Sequence, residues 1–264
     1  MQTTIITATL NAEATIRHCI ESVHKQTVPC EHVIVDGGST DKTVSIIQSY
    51  ANAHPDYNLK FIPYNKLGIA AAFNVGIEAC SGSIVAILNA DDWYELDAVE
   101  RSIQLLQANP NAAYTYGSTI YYAENYKLRV TPIAANAIHR KACKCMPFGH
   151  ITSFVRRNIY KEYGTYDESK KIAMDMEFYA RLCNQGLYGV EVPGIIGHVL
   201  SGGVSSNYWR RTKEAFVITR QYANTATAIA NTLNYAIRQV IGSLLVKYSW
   251  LSRFFPARRV KTMS

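Results

Sequence analysis

Several features are missing from this 264-residue sequence, and each absence narrows the reading. No apolar run is long enough to span a bilayer, which takes about 20 residues. There is no low-complexity tract and no internal repeat, leaving one large domain, or one domain with a short appendage, as the organisation. Six cysteines are present (Cys19, Cys30, Cys80, Cys143, Cys145 and Cys183), but no paired CxxC clusters, which argues against a zinc site among them. Cys143 and Cys145 stand too close for an ordinary staple, and several others fall at apolar positions of predicted helices. The cysteines therefore read as reduced core residues of a cytosolic protein. Met1 to Ile5 enters a strand at once, without the basic stretch and cleavage pattern of a secretory signal.

What is present is ordinary globular material with a basic excess. Hydrophobic residues make up 48%, enough for a full core, and 27 Lys and Arg against 20 Asp and Glu leave a net charge of +7. That balance suits anionic partners such as nucleotide phosphates, nucleic acid or an acidic membrane surface. Arg253, Arg258, Arg259 and Lys261 close the chain without an acid between them, which taken alone reads as a solvated terminus.

Along the first half, short β-rich runs alternate with helical spacing. Strands are predicted at Thr3 to Leu10, Glu31 to Asp36, Leu59 to Pro63 and Ser83 to Leu88. Helices are predicted from Ala12 to Gln26, through Val44, Ile46 and Ile47 with Ser39 or Thr40 as its cap, and from Ile69 to Ala79. The alternation predicts an α/β fold: a mostly parallel, Rossmann-like sheet with helices on both faces. Ligands of such sheets bind beyond the carboxyl ends of the strands. Three polar segments belong there: Thr9 to Asn11, Asp36 to Asp41 and Asn89 to Asp92. After Pro110 the pattern loosens. Ala113 to Tyr122 and Lys127 to Thr131 read as a hairpin, Pro132 to Gly149 is poorly patterned, and His150 to Val155 reads as a short strand. Ala173 to Gln185 is a helix, Leu187 to Val192 a strand, and the chain from Glu214 onward is helical in two pieces.

Residue types alone leave the chemistry open. Adjacent carboxylates at a strand end suit a hard divalent cation, and they suit helix capping equally well, so Asp91 and Asp92 fit both. Asp36 fits a turn, or an acceptor for a base or ribose hydroxyl. Trp93 and Tyr94 fit sugar stacking or core packing.

The order of motifs does more. Thr7-Ala8-Thr9-Leu10-Asn11-Ala12 comes first, then Ile20-Glu21-Ser22-Val23 with Gln26-Thr27. Val33 to Asp41 and Asn89-Ala90-Asp91-Asp92 follow. Together they resemble the family 2 glycosyltransferases of GT-A fold, such as those of bacterial envelope-polysaccharide assembly, closely over residues 1 to about 110 and more weakly to about 205. The resemblance implies a nucleotide-sugar-binding half (1–110), an acceptor half (111–205) and a C-terminal helical extension (206–264). It implies that Asp36 bonds the nucleotide base and that Thr7, Thr9 and Asn11 line the nucleotide pocket. Gly68 would allow close backbone approach. Asp91 would ligate a divalent cation, Mn2+ or Mg2+, and Asp92 would orient the sugar or the cation's waters. The chain departs from the family's Asp-x-Asp at its first position, where Asn89 brings an amide and no charge. Asp91 is thereby left as the main metal ligand, with metal held together with the nucleotide diphosphate.

In the second half, Gly164-Thr165-Tyr166-Asp167 followed by Met174-Asp175-Met176-Glu177 resembles the family's acid-bearing helix start. Asp175 then aligns with the catalytic base that takes the acceptor hydroxyl's proton in a single inverting displacement; a simple helix-capping role is the competing reading. His150 resembles a recurring acceptor-side histidine. His198 with Gly202-Gly203-Val204-Ser205 resembles a loop that closes over the diphosphate, its Gly203 and Ser205 offering backbone N–H groups; a structural histidine and a plain turn compete with these.

Apolar residues from Ile237 to Phe255, interleaved with Arg238, Lys247 and Arg253, suit a helix lying in a membrane interface as well as one packed on the domain. The resulting expectation is a cytoplasmic, peripherally membrane-associated transferase. It would take a sugar from a nucleotide donor, UDP-linked, to a glycan or lipid-linked acceptor. Two alternatives are a non-catalytic nucleotide-sugar-binding subunit, which Asn89 keeps open, and a sugar-phosphate nucleotidyltransferase, which lacks its Gly-rich start here. No motif supports nucleic-acid binding.

Overall fold

The computed structural model describes residues 1–66, 68–123, 126–130, 132, 148–200, 202 and 208–234. In chain order the first half contains β1 (Thr3–Thr9), α1 (Ile16–His24), β2 (Glu31–Asp36), α2 (Thr43–Ala53), β3 (Leu59–Pro63), α3 (Ile69–Ala79), β4 (Ile84–Ile87), β5 (Trp93–Tyr94) and α4 (Ala98–Ala108). The second half contains the hairpin β6 (Tyr114–Ala123) and β7 (Tyr126–Val130), a 3-10 turn at His150–Thr152, β8 (Phe154–Arg156), α5 (Arg157–Tyr163), α6 (Met174–Asn184), β9 (Gly189–Leu200) and α7 (Tyr208–Tyr222), with a further helical stretch over 225–234.

One sheet runs through the molecule in the order β3-β2-β1-β4-β8-β6-β9-β5, with β7 on the free side of β6. Strands β3, β2, β1 and β4 are mutually parallel, as the alternating pattern requires. β8 is antiparallel to β4 and β6, while β9 returns parallel to β6. Helices cover both faces. Phe73 and Ile77 of α3 pack with Tyr160 of α5 and Phe178 of α6 on one side. Ile16, Cys19, Ile20 and Val23 of α1 pack with Ile47 of α2 and Leu106 of α4 on the other. The α1 set is the i, i+3, i+4, i+7 stripe visible in the sequence.

β1 and β2 are buried on both faces, so their polar side chains need internal partners. His32 has Nε2 at 2.9 Å from Thr7 Oγ1 and Nδ1 at 2.5 Å from Tyr57 Oη. Burial lowers its pKa to about 3, so the ring is neutral. Glu31 accepts from Thr4 Oγ1 at 2.5 Å and from the Ser81 amide at 2.8 Å. These bonds reward one strand register over its neighbours.

Four expectations change. His150–Thr152 is a 3-10 turn, not strand, because Thr152 Oγ1 donates to Gly149 O (2.8 Å) and also accepts from the Gly117 amide (2.9 Å). The strand expected to stop at Val192 continues to Leu200. Pro193-Gly194 bends it, with Gly194 at φ +85°, and Arg101 of α4 holds the bend by donating to the carbonyls of Pro193 and Ile195, both at 2.6 Å. Neither Ser39 nor Thr40 caps α2. The N-cap is Lys42, whose side chain makes no cap bond; Asp41, one residue before it, accepts from the Thr43 amide through Oδ1 at 2.9 Å. Finally, Cys19, Cys30 and Cys80 are free and buried, but Cys183 is disulfide-bonded, its partner lying outside the described residues. Cys143 and Cys145 also lie outside them.

The Arg101 clasp yields a prediction. Arg101→Ala strands two strand carbonyls and removes charge-assisted bonds, each worth about 1.5–3 kcal/mol. Urea unfolding is expected to show a loss of about 1–3 kcal/mol, and an unchanged midpoint would contradict the clasp.

Candidate functional site

The carboxyl ends of β1 and β2 are laced together before any ligand is considered. Asn11 adopts φ +51°, which turns its backbone toward the next loop. Its amide donates to Ser39 Oγ and its Oδ1 accepts from the Thr40 amide, both at 2.9 Å. Glu13 Oε2 accepts from the Lys42 amide at 2.9 Å, and Asp41 Oδ2 returns a bond to the Glu13 amide at 3.1 Å. Asp36 is buried at the base of this lacing. Its Oδ2 accepts from the amides of Gly38 (3.0 Å) and Ser39 (2.9 Å), and its Oδ1 from Ser39 Oγ at 2.5 Å. A carboxylate offers about four acceptor positions, so Asp36 holds the loop with three and keeps one. Thr7 sits inside the sheet, its hydroxyl on His32, rather than on the rim with Asn11. Thr9 is different: its Oγ1 is buried and has no hydrogen-bond partner. Gly68, at φ +139°, stands immediately before α3, and a Cβ there would meet nothing closer than Ala71 Cβ at 3.6 Å.

β4 delivers Asn89 to Asp92 to the same rim. The helix-capping reading is removed for this pair, since the N-cap of α4 is Asp97. Asp92 is 1% exposed and turned inward. Its Oδ2 accepts from Asn89 Nδ2 at 2.8 Å and its Oδ1 from the Leu200 amide at 3.1 Å. Asn89 thus serves a neighbouring carboxylate, a bond that a second carboxylate at position 89 would replace with repulsion. Burial first, and the charge of Asp91 second, push the Asp92 carboxyl up to about 7. Asp91 is half-buried, and its pKa is raised chiefly by burial, opposed by its own backbone and by His150. Two desolvated acids side by side are a site short of positive charge. Oxygen donors with that deficit fit a hard divalent ion held by Asp91 together with substrate phosphates.

In the second half of the chain, α6 carries Asp175 in its first turn. Asp175 is not the helix cap: Ala173 is, and its side chain cannot serve. Asp175 Oδ1 accepts from the first-turn amide of Met176 at 2.7 Å, and Glu214 of α7 holds the segment entering the helix, accepting from the amides of Lys171 (3.1 Å), Ile172 (2.9 Å) and Ala173 (2.9 Å). Tyr222 Oη adds a bond of 2.6 Å to Glu177 Oε1, and Arg181 pairs with Glu177 at 3.0 Å. Asp175 Oδ2 lies 3.5 Å from His150 Nδ1. Burial lowers the His150 pKa, opposed by the charges of Asp175 and Asp91 and assisted by Arg211. His150 is therefore the group that senses both carboxylates, and Asp91, His150, Asp175 and Arg211 share one electrostatic neighbourhood.

His198 joins the site from β9. Its Nε2 meets Glu95 Oε1 at 2.9 Å, its Nδ1 meets Tyr122 Oη at 3.1 Å, and its ring stacks on Trp93 at 5.1 Å. Trp93 is half-buried against it, whereas Tyr94 is core, with its hydroxyl on the Ile151 carbonyl at 2.9 Å. Gly203 and Ser205 lie outside the described residues, as do Pro132 to Gly149 in the main and the segment from Ile237 onward. Among the described residues, no helix is long and apolar enough to cross a membrane. Glu214, Arg211 and Glu95 escaped sequence reasoning. Glu214 is a lone acid beside the basic run Arg210-Arg211-Thr212-Lys213, and nothing local signals that it holds the amides of Lys171, Ile172 and Ala173, 41–43 residues earlier in the chain.

The profile of the family described as glycosyl transferase family 2 matches residues 4–176. An amylovoran biosynthesis glycosyltransferase, AmsE, of Erwinia amylovora is 26% identical over 242 residues, covering 88% of this chain and 90% of its own. A chondroitin synthase of Escherichia coli is 30% identical over 186 residues, covering 67% of this chain and 26% of that longer one. Among solved structures, the mannosyltransferase PcManGT of Pyrobaculum calidifontis, in complex with GDP-Man and Mn2+, superposes with a TM-score of 0.67 at 20% identity, covering 97% of this chain and 82% of that one. S. aureus TarS 1-349 in complex with UDP-GlcNAc gives a TM-score of 0.68 at 19% identity, covering 89% and 72%. At these identities the structural likeness shows the GT-A-like fold.

The Asp92 environment has a consequence for stability. Its folded pKa lies above that of an exposed aspartate, so the native state keeps a proton that the unfolded chain releases from about pH 4. The stabilisation is whole below about pH 4 and is lost as pH rises through about 7, amounting to at most about 4 kcal/mol. In metal-free buffer the thermal midpoint is expected to fall from pH 5 to pH 8, and the fall should flatten in Asp92→Asn. Identical pH dependence in both proteins would refute the assignment.

Proposed function

This chain belongs to glycosyl transferase family 2, and on that premise we propose that it is an inverting transferase using a nucleoside-diphosphate sugar, with Asp175 as base. One observation carries the reading. Asp175 on α6 has its Oδ2 3.5 Å from His150 Nδ1, and the charge of Asp91 beyond β4 acts on the same imidazole. A donor lying along the rim would present its diphosphate to Asp91 and its anomeric carbon toward Asp175.

In the proposed step the acceptor hydroxyl gives its proton to Asp175 as its oxygen attacks the anomeric carbon. The bond from that carbon to the diphosphate oxygen breaks, and its electron pair leaves with the nucleoside diphosphate. The centre passes through an oxocarbenium-like state and inverts. His150, close to Asp175 Oδ2, orients the carboxylate toward the acceptor. Asp92 keeps the strand end in place through Asn89 and Leu200. A divalent cation, Mn2+ or Mg2+, held by Asp91 would offset the charge gained by the departing diphosphate. The unpartnered Thr9 hydroxyl and the spare acceptor position of Asp36 are the groups left for the nucleoside.

We take the donor as UDP-linked and the acceptor as a glycan or lipid-linked glycan. The names of the amylovoran and chondroitin enzymes support the acceptor class, and TarS crystallised with UDP-GlcNAc supports the donor. PcManGT with GDP-Man makes guanosine the competing base.

The test is a panel of nucleotide sugars with and without manganese. Asp175→Asn is expected to lower turnover by about 10²–10⁴-fold while UDP affinity stays within twofold of roughly its starting value. Asp91→Asn is expected to abolish the gain in UDP affinity that manganese brings. Unchanged turnover in Asp175→Asn would remove it as the base. Nucleotide binding without transfer from any donor would point to a non-catalytic binding subunit instead.

A further inference from the structure

A second group of ligating side chains lies at the other end of the sheet. Because β1, β2 and β3 are parallel, α1 and α2 both start at the cleft rim and run back to the opposite one. The last residue of α1 is His24, the C-cap of α2 is His54, and Asp56 stands in the turn that enters β3. One ring nitrogen from each histidine and a carboxylate oxygen of Asp56 all lie within 4.8 Å of one another.

The surroundings organise these groups. His24 Nδ1 is 2.9 Å from Tyr50 Oη, and its ring stacks on Tyr57 at 4.4 Å. The His54 ring packs edge-on to His24 at 5.0 Å and against Tyr50 at 4.4 Å. Two helix carboxyl ends meet here, and their unpaired carbonyls favour a positive charge. Within their last turns α1 offers only His24 and α2 no basic residue, and Lys25, the C-cap of α1, turns its ammonium to Glu21 at 3.2 Å. A hydrogen bond to one imidazole nitrogen fixes the ring and leaves the other for a metal, the arrangement that supports histidine ligands generally.

We propose that His24, His54 and Asp56 bind a divalent transition ion of the zinc class, one that prefers nitrogen ligands, and that the ion staples α1 to α2. Two imidazoles with one carboxylate suit zinc, nickel or copper and not magnesium or manganese, which separates this site from the oxygen-lined cleft. Bond lengths of about 2.0–2.1 Å require the ligands to draw in by roughly 1 Å, a movement open to Asp56 because it is exposed. A fourth position remains for water. The staple is structural: α1 and α2 begin in the loops whose lacing shapes the nucleotide rim. The proposal does not depend on the transfer reaction.

The experiment is calorimetric titration of the metal-stripped full chain with zinc chloride, in excess magnesium so that the acidic cleft is not the reporter. A single equivalent is expected at pH 7.5. His54→Ala and Asp56→Asn should each weaken it at least about tenfold, and Tyr50→Phe, which removes the orienting partner, by about 10–100-fold. Zinc should raise the thermal midpoint of the wild-type chain and leave that of both ligand variants unmoved. Zinc uptake of equal affinity in wild type and Asp56→Asn would overturn the proposal, as would no uptake at all. If His54→Ala fails to fold, the exposed Asp56→Asn variant decides.

Discussion

A single buried carboxylate ties the two halves of the cleft to each other. Asp92 accepts from Asn89 on its own loop and from the Leu200 amide at the far end of β9. The first bond shapes the turn that holds out Asp91. The second anchors the end of the last strand, in which His198 pairs with Trp93. Desolvation makes an unpartnered acid costly here, so the bond to Asn89 is obligatory rather than ornamental. An aspartate at position 89 would set two buried acids against each other. The amide is therefore a structural solution that concentrates ligand charge on Asp91.

The helix that carries Asp175 has a matching support. A helix start needs acceptors for its free amides, and the local residue Ala173 cannot supply one. Glu214 reaches across from α7 to the amides of Lys171, Ile172 and Ala173 that lead into the helix, and Tyr222 of α7 bonds Glu177 of α6, which Arg181 of the same helix also pairs. Asp175 divides its carboxylate: Oδ1 accepts from the Met176 amide at 2.7 Å and Oδ2 faces His150. The helical extension is thus part of how the start of the Asp175 helix is held.

The supports differ in how they respond to conditions. The rim lacing of Asn11, Glu13, Asp41 and Lys42 is exposed and built from backbone amides, so salt and solvent act on it readily. The Asp92 and His32 networks are buried, with carboxyl and imidazole groups moved toward their neutral forms. Of the two, the Asp92 carboxyl, pushed up to about 7, is the one whose charge changes near neutral pH.

Much of this was legible in the sequence. The strands β2 and β3 and helix α3 match their predicted bounds, because continuous apolar runs and 3.6-residue spacing are local signals. The rim position of Asp36 and Asp91 followed from parallel topology, and family membership followed from motif order. Other features had no local signal. Pro193-Gly194 looked like a strand's end until Arg101 supplied the missing donors. Ser39 looked like a cap until Asp36 engaged it. Thr7 looked like a rim residue until His32 drew it inside. The disulfide at Cys183 contradicts the reading of uniformly reduced cysteines, for which spacing alone was the guide. Pattern and order belong to the sequence because they depend on neighbours along the chain. Which carboxylate is spent on structure and which is left for chemistry is decided only in three dimensions, because each lone pair goes to whichever donor the fold brings within about 3 Å.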